Sequence, residues 1–181
     1  MNKTGIATFG GGCFWCIEAV LQRLRGVESV VSGYAGGHTV DPTYRSTSKG
    51  DTGHAEVVQV TFDPTAISYE ELVTIFMTSH DPTTVDRQGA DRGPQYRSII
   101  LHHNVDQKAI VENVLSKLKN TFDVPVVTEV APINIFYRGE AYHQNYYNNN
   151  PSAGYCRVVI DPKVGKLRKM YADRLKLEIV E

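Results

Sequence analysis

The run Gly10-Gly11-Gly12-Cys13-Phe14-Trp15-Cys16 holds two of the three cysteines and the single tryptophan of this 181-residue chain. Three glycines free the backbone immediately before a thiol and let it approach a small substrate closely. Two large aromatic rings follow the thiol. The chemistry this arrangement fits is nucleophilic attack by Cys13 at the rim of an apolar pocket walled by Phe14 and Trp15. Either ring taken alone fits core packing equally well. A strand predicted over Thr4–Phe9 feeds the glycines, and a helix predicted from Phe14 to Arg25 follows them. Cys13 therefore stands at a helix N-terminus, where unpaired N–H groups and the helix dipole favour an anion. The expected consequence is a depressed thiol pKa.

Cys13 and Cys16 also form a C-x-x-C pair. That spacing fits a thioredoxin-like redox motif, or half of a zinc site completed by Cys156 and a histidine. No second C-x-x-C and no paired histidine spacing follows, so the zinc reading has little to build on.

The elements that must hold these groups can be read from periodicity. The apolar positions Ile17, Val20, Leu21 and Leu24 recur at helical spacing, with Gly26 as a C-terminal cap. Val27–Gly33 reads as a strand, and Tyr34 to Gly53 as a long polar loop of the kind that is usually functional or disordered. In the strand predicted over Ala55–Phe62, Val58, Val60 and Phe62 share a face with Glu56. Ser68-Tyr69-Glu70-Glu71 is a capping-box pattern opening a helix to about Ser79. A second polar loop covers His80–Gln95. Further strands are predicted at Arg97–His103, Pro125–Val130 and Tyr155–Ile160. Further helices are predicted at Val105–Lys119 with Asn104 as cap, at Glu140–Asn148 and at Val164–Leu175. The alternation implies an α+β fold, a two-layer α/β sandwich around a mixed sheet, built as a ferredoxin-like plait with additions. A doubly wound parallel sheet is the second choice.

Hydrophobic residues at 41% and charged residues at 22% are the composition of an ordinary soluble globular domain. The formal net charge of -1 gives no broad attraction to nucleic acid or acidic membranes. The basic stretch Lys163–Lys169 reads as a solvated helix face. No apolar run approaches the roughly 20 residues of a membrane span, and Met1–Ala7 lacks a signal-peptide core. The expectation is one catalytic domain over residues 1–181, cytoplasmic, with reduced cysteines that act as catalytic or metal-binding thiols.

Six further segments complete a pattern with the thiol motif. Gly12-Cys13-Phe14-Trp15, Gly33-Tyr34-Ala35-Gly36-Gly37, Pro42-Thr43-Tyr44, Thr52-Gly53-His54-Ala55-Glu56, His80-Asp81-Pro82-Thr83, Gln95-Tyr96-Arg97-Ser98 and Tyr142-His143-Gln144-Asn145-Tyr146-Tyr147 stand in one order. In that order and spacing the chain resembles the A-type peptide methionine sulfoxide reductases from about Gly5 to Ile160. The resemblance implies an α/β two-layer sandwich and reduction of the S epimer of methionine sulfoxide, free or in proteins. It implies that Cys13 is the nucleophile and Glu56 the acid that protonates the sulfoxide oxygen. It further implies that Tyr44, Asp91 and Tyr96 line a polar half-pocket, and that Phe14 and Trp15 hold the methyl group. The chemistry is consistent with those roles. A sulfoxide oxygen leaves poorly unless protonated, and a carboxyl stays neutral near pH 7 only if desolvated. The apolar face around Glu56 allows that, although spacing alone fits an exposed glutamate as well.

The implied course makes Cys13 a sulfenic acid, which a second thiol condenses to a disulfide. Thioredoxin or another dithiol then reduces it, with no bound cofactor and no metal. Cys156, in a carboxyl-terminal segment from about residue 150, resembles the family's resolving cysteine. Cys16, one helical turn from Cys13, is the alternative resolver. Two positions depart from the family pattern: Ala90 replaces the usual Asn before Asp91, and Pro94 the usual Thr before Gln95. Two rival readings remain at this level. One is a thiol–disulfide oxidoreductase using Cys13 and Cys16, and the other is a non-catalytic zinc module.

Overall fold

The strand that carries Glu56 forms where alternation predicts it. In the computed structural model, which describes residues 4–177, β3 runs over Ala55–Phe62. Glu56, Val58, Val60 and Phe62 are all buried, and their shared face meets the main core. β3 pairs antiparallel with β1 (Gly5–Gly10) on one side and β2 (Val27–Ala35) on the other. Beyond β1 lies β6 (Ile99–His102), antiparallel, and then β7 (Glu129–Pro132), parallel. Beyond β2 lies β8 (Phe136–Arg138). The result is a mixed six-stranded sheet in the order β7-β6-β1-β3-β2-β8. Mostly antiparallel pairing rules out the doubly wound parallel sheet.

Helices cover one face of this sheet. α1 (Phe14–Leu21) joins β1 to β2, α3 (Tyr69–Ser79) follows β3, and α4 (Val105–Leu118) follows β6. Their apolar stripes close the main core with Phe9, Val58, Val60, Phe62 and Ile100. The opposite face carries a small cluster of Ala35, Ala55, Val57, Ile99 and Leu101. The predicted caps form. Ser68 accepts from the Glu71 amide at 3.1 Å while the Glu71 carboxylate accepts from the Ser68 amide at 2.9 Å. Asn104 accepts from the Gln107 amide at 2.8 Å.

Several expectations need correction. α1 ends at Leu21, not Arg25, because Leu24 bridges to Leu175 and the Arg25 amide donates to the Arg174 carbonyl. The carboxyl-terminal segment docks there and stops the helix. The strand expected at Pro125–Val130 forms four residues later, as β7, since the Val127 amide is held by the Pro82 carbonyl. The loop after Ser79 contains a small hairpin, β4 (Arg87–Gln88) with β5 (Asp91–Arg92). The loop before β3 contains one turn of helix, α2 (Tyr44–Thr47).

The helix expected at Glu140–Asn148 is broken into a 3-10 turn over Ala141–His143 and a one-turn helix α5 (Tyr146–Asn149). Gln144 breaks it. Its side-chain oxygen accepts from the Ser32 amide at 3.0 Å and its side-chain nitrogen donates to the Ser32 carbonyl at 2.9 Å. The side chain thus continues the β2 edge past the end of β8. The last predicted strand, Tyr155–Ile160, is not a strand. Cys156–Ile160 form a π-helical turn that runs into α6 (Asp161–Met170). Its β-branched run resembles a strand locally, yet the buried positions are Cys156, Ile160, Val164 and Leu167, a helical spacing. Pro162 is compatible because it falls in the first turn of α6.

β8 can pair with β2 only because position 33 has no side chain. A Cβ on Gly33 would overlap the Tyr137 carbonyl oxygen and the Phe136 ring. Gly33→Ala should therefore cost about 2 kcal/mol or more. The expected readout is a lowered thermal midpoint with loss of amide-exchange protection along β8. Unchanged protection there would contradict this account of the edge.

Candidate active site

Cys13 occupies the N-cap position of α1 and is 9% exposed. The glycine loop before it is tightly approached. Gly12 has φ +93°, and a Cβ there would lie 2.6 Å from Cγ of Gln88. Gln88 cannot yield, since its side-chain amide is bonded at both ends to the Asp81 backbone, at 3.1 and 2.9 Å. The Gly12 amide donates to the Tyr96 carbonyl at 3.1 Å. The loop that needs glycine thus joins the Cys13 turn to the β4–β5 hairpin and to the Tyr96 turn.

Glu56 reaches the same place from β3. One carboxyl oxygen accepts from the Phe14 amide at 3.1 Å, one of the orphan N–H groups at the start of α1. Burial raises the Glu56 pKa to about 8, against the Phe14 hydrogen bond and with the help of the Asp91 charge. Glu56 is therefore a neutral acid at pH 7.

The expectation of an acidified Cys13 fails in this resting state. Burial pushes its pKa well up, reinforced by its hydrogen bond with Cys16 and by the Glu56 charge. The first free amide of α1 is turned to Glu56, and the hydrogen bond that the Trp15 amide gives the Cys13 sulfur lowers its pKa too little to offset burial. Cys16 is shifted the other way, to about 7. The Cys13 hydrogen bond lowers it most, and burial opposes. The Lys163 charge and a contact with the Tyr155 hydroxyl at 3.7 Å lower it further.

The structure brings the other predicted pocket residues around this pair. Tyr44, on α2, and Tyr96 are both half-buried, with hydroxyl pKa values raised by burial and then by the Glu56 charge. Asp91, on β5, accepts from the Tyr155 hydroxyl at 2.7 Å. The Phe14 ring is wholly buried against Tyr34 and His143, so it forms the floor. Trp15 is the half-exposed wall. Its ring stacks on Tyr146 at 3.7 Å and 6°, meets Tyr155 edge-on at 5.8 Å, and its N–H donates to Nδ1 of His143 at 3.0 Å.

Tyr146, Tyr155 and His143 escaped role assignment in the sequence. The signal was the segment Tyr142–Tyr147, whose aromatic density beside a histidine marks a ring cluster. Glu18 was also missed. Its carboxylate, one turn beyond Trp15, accepts from the Asn145 and Tyr146 amides at 2.8 and 3.3 Å and fixes Tyr146 on the indole. Asn145 enters that turn at φ 54°, a conformation asparagine tolerates.

The three thiols differ in setting. Cys16 follows Cys13 within the first turn of α1, its amide bonded to the Cys13 carbonyl at 3.1 Å. Cys156 is fully buried at the start of the π-helical turn, and its pKa is raised by burial, then by the charges of Asp161 and Cys16. Among the described residues no group of three or more His, Cys, Asp or Glu is arranged to hold a metal, and no helix is long and apolar enough to cross a membrane.

Known proteins resemble this chain over most of its length. The chain is 52% identical over 170 residues to peptide methionine sulfoxide reductase MsrA of Acinetobacter baumannii, covering 94% of this chain and 98% of the relative. Reduced Mxr1 of Saccharomyces cerevisiae superposes with a TM-score of 0.79 at 32% identity, over 85% of this chain and 90% of that one. The same yeast protein in complex with Trx2 superposes at 0.56 and 25% identity, over 80% and 85%. A family model described as peptide methionine sulfoxide reductase matches residues 5–175, and the chain belongs to that family.

Proposed function

We propose that this chain reduces the S epimer of methionine sulfoxide, free or within oxidised proteins, to methionine, as a protein-repair enzyme. The observation that carries the reading is a buried, neutral carboxyl on the amide next to a buried thiol. Cys13 attacks the sulfoxide sulfur as thiolate while Glu56 delivers its proton to the oxygen. The new bond between the two sulfurs and the substrate S–O bond then break as the hydroxyl passes to the Cys13 sulfur, so methionine leaves reduced and Cys13 is left oxidised as a sulfenic acid. The hydroxyls of Tyr44 and Tyr96 stabilise the charge that develops on that oxygen. Trp15 and Phe14 receive the methyl group, and Asp91 completes the polar side. No bound cofactor takes part.

A second thiol then displaces hydroxide from the sulfenic acid, releasing water and forming a disulfide. Here we favour Cys16 over Cys156. Residues one helical turn apart lie about 5–6 Å from each other, within the span of about 4.4–6.8 Å that a disulfide bridges. Cys16 is also the more acidic thiol, at about 7, and so the better nucleophile at neutral pH. Cys156 would have to leave a buried helical turn. Thioredoxin or another dithiol regenerates the enzyme, a role supported by the Mxr1–Trx2 complex. Residues 1–181 act as one catalytic domain, and three reduced thiols suit the cytoplasm. The scaffold reads as a ferredoxin-like plait with additions, supported by the antiparallel inner order β6-β1-β3-β2.

Incubation with dithiothreitol and each epimer separately should give methionine from the S epimer, and failure of that turnover would overturn the reading. Glu56→Gln should lower kcat/KM about 10²- to 10⁴-fold. The active proton arrangement is a thiolate beside a neutral carboxyl, so kcat/KM should pass through a maximum above about pH 8, the Glu56 value. The Gln variant should keep the ascending limb and lose the descending one.

Stability should change in the opposite sense. Between the ordinary value of 4.5 and about 8 the unfolded Glu56 is ionised while the folded one keeps its proton. Folded stability therefore declines with pH across that window and carries the full penalty above it. Glu56→Gln should melt higher than the parent at pH 8.5, and a lower melting point would refute the burial argument.

For the resolver, oxidation with one equivalent of sulfoxide should yield a Cys13–Cys16 disulfide on peptide mapping. Cys16→Ser should accumulate a dimedone-reactive Cys13, whereas Cys156→Ser should retain thioredoxin-dependent turnover. A Cys13–Cys156 bridge as the first product would reverse the preference.

A further inference from the structure

We propose that Glu140 is the positioning residue of the sulfoxide pocket, joining the half that holds the oxygen to the half that holds the methyl group; the inference rests on the function proposed above. Glu140 follows β8, and among the described residues its hydrogen bonds reach neither thiol. One carboxylate oxygen accepts from the Tyr44 amide at 2.9 Å, at the first residue of α2. The other accepts from the Tyr34 hydroxyl at 2.9 Å and lies 3.2 Å from Nε2 of His143, off the axis of a full hydrogen bond.

His143 extends this link to the indole. An indole N–H only donates, so Nδ1 of His143, which receives it from Trp15, carries no proton. The histidine proton must then sit on Nε2, facing the carboxylate. The imidazole is wholly buried and also touches Phe14 and Tyr44, at centroid distances of 4.8 and 4.6 Å. Tyr44, Glu140, His143 and Trp15 therefore form one polar chain across the pocket. The carboxylate does two tasks at once. It holds the backbone that aims the Tyr44 hydroxyl, and it fixes the histidine tautomer that accepts from Trp15.

The amide variant separates these tasks. In Glu140→Gln the side-chain oxygen can keep the Tyr44 amide, but the NH₂ group then faces the Nε2–H of His143, donor against donor. Trp15 is the sole tryptophan, so one indole N–H resonance reports the wall directly, without substrate or turnover. Glu140→Gln should shift that resonance, raise KM for the S epimer about tenfold and leave kcat within about threefold. Glu140→Ala should release both ends, raising KM and lowering kcat together.

A purely structural role predicts something else: a lowered melting temperature with the parental indole position and KM in the folded fraction. That result for Glu140→Gln would overturn the proposal, as would a shift in kcat alone. Should the parent fail to turn over sulfoxide, the proposed function falls. The indole resonance of Glu140→Gln would still show whether Glu140 sets Trp15.

Discussion

The site depends on a carboxyl that the fold keeps out of water. Glu56 lies on the central part of the sheet, with β1 and β2 on either side of its strand, and among the described residues the backbone donor it meets is the Phe14 amide. A single such donor does not offset the loss of solvation, so the carboxyl keeps its proton. Burial acts on Cys13 as well, joined by its hydrogen bond with Cys16 and by the Glu56 charge, and that thiol also stays protonated. Two adjacent acids cannot both ionise in a space this poor in water. A thiolate at Cys13 therefore favours a proton on Glu56, which in the proposed mechanism ties attack on sulfur to the presence of the acid for the oxygen. This coupling also limits unproductive chemistry, since a thiolate without its acid is the disfavoured arrangement.

The sequence was legible where chemistry and periodicity spoke together. Alternation in Ala55–Phe62 located β3 and the face of Glu56, whereas the glycines before Cys13, read as room for a substrate, include Gly12, which is needed for its close approach to Gln88. Legibility failed where a long-range polar contact overrode local pattern. The helix expected through Gln144 is cut because that side chain completes the edge of β2. β8, three residues long, has too little sequence for any period to register, and it exists because Gly33 lets it in. The misread strand at Tyr155–Ile160 had the composition of a strand but the burial of a helix. Two-residue alternation and four-residue spacing coincide over such a short run, so only the register with Val164 and Leu167 separates them.

That last correction alters the meaning of the carboxyl-terminal segment. As an extended tail, it would have offered a mobile thiol. As a helix, it presents Tyr155 to the site and holds Cys156 wholly buried. The Tyr155 hydroxyl donates to Asp91 and lies beside the Cys16 sulfur, while Lys163, two turns on, contributes positive charge to the same sulfur. The segment thus sets the surroundings of Cys16 as well as carrying Cys156. The C-x-x-C spacing is consistent with that division: the first sulfur is held with the acid, and the second is held with the helix that follows.

The aromatic wall shows the same economy. Stacked rings alone would slide, because apolar contact is not directional. The strap from Glu140 to Tyr146 is instead pinned by three carboxylate or amide side chains, two reaching from it to backbone elsewhere and one reaching in to its own backbone. Glu140 takes the Tyr44 amide, Gln144 takes both backbone groups of Ser32, and Glu18 takes the Asn145 and Tyr146 amides. Backbone partners matter here, since an amide fixed in a strand or helix cannot rotate away as a side-chain hydroxyl can. A methyl group offers no hydrogen bond by which to be recognised, so selectivity for it has to come from the shape of the wall. A wall of rings keeps its shape only if its backbone is fixed, and these directional contacts fix it. The rings proposed to receive the methyl group are thus held through directional polar contacts to backbone.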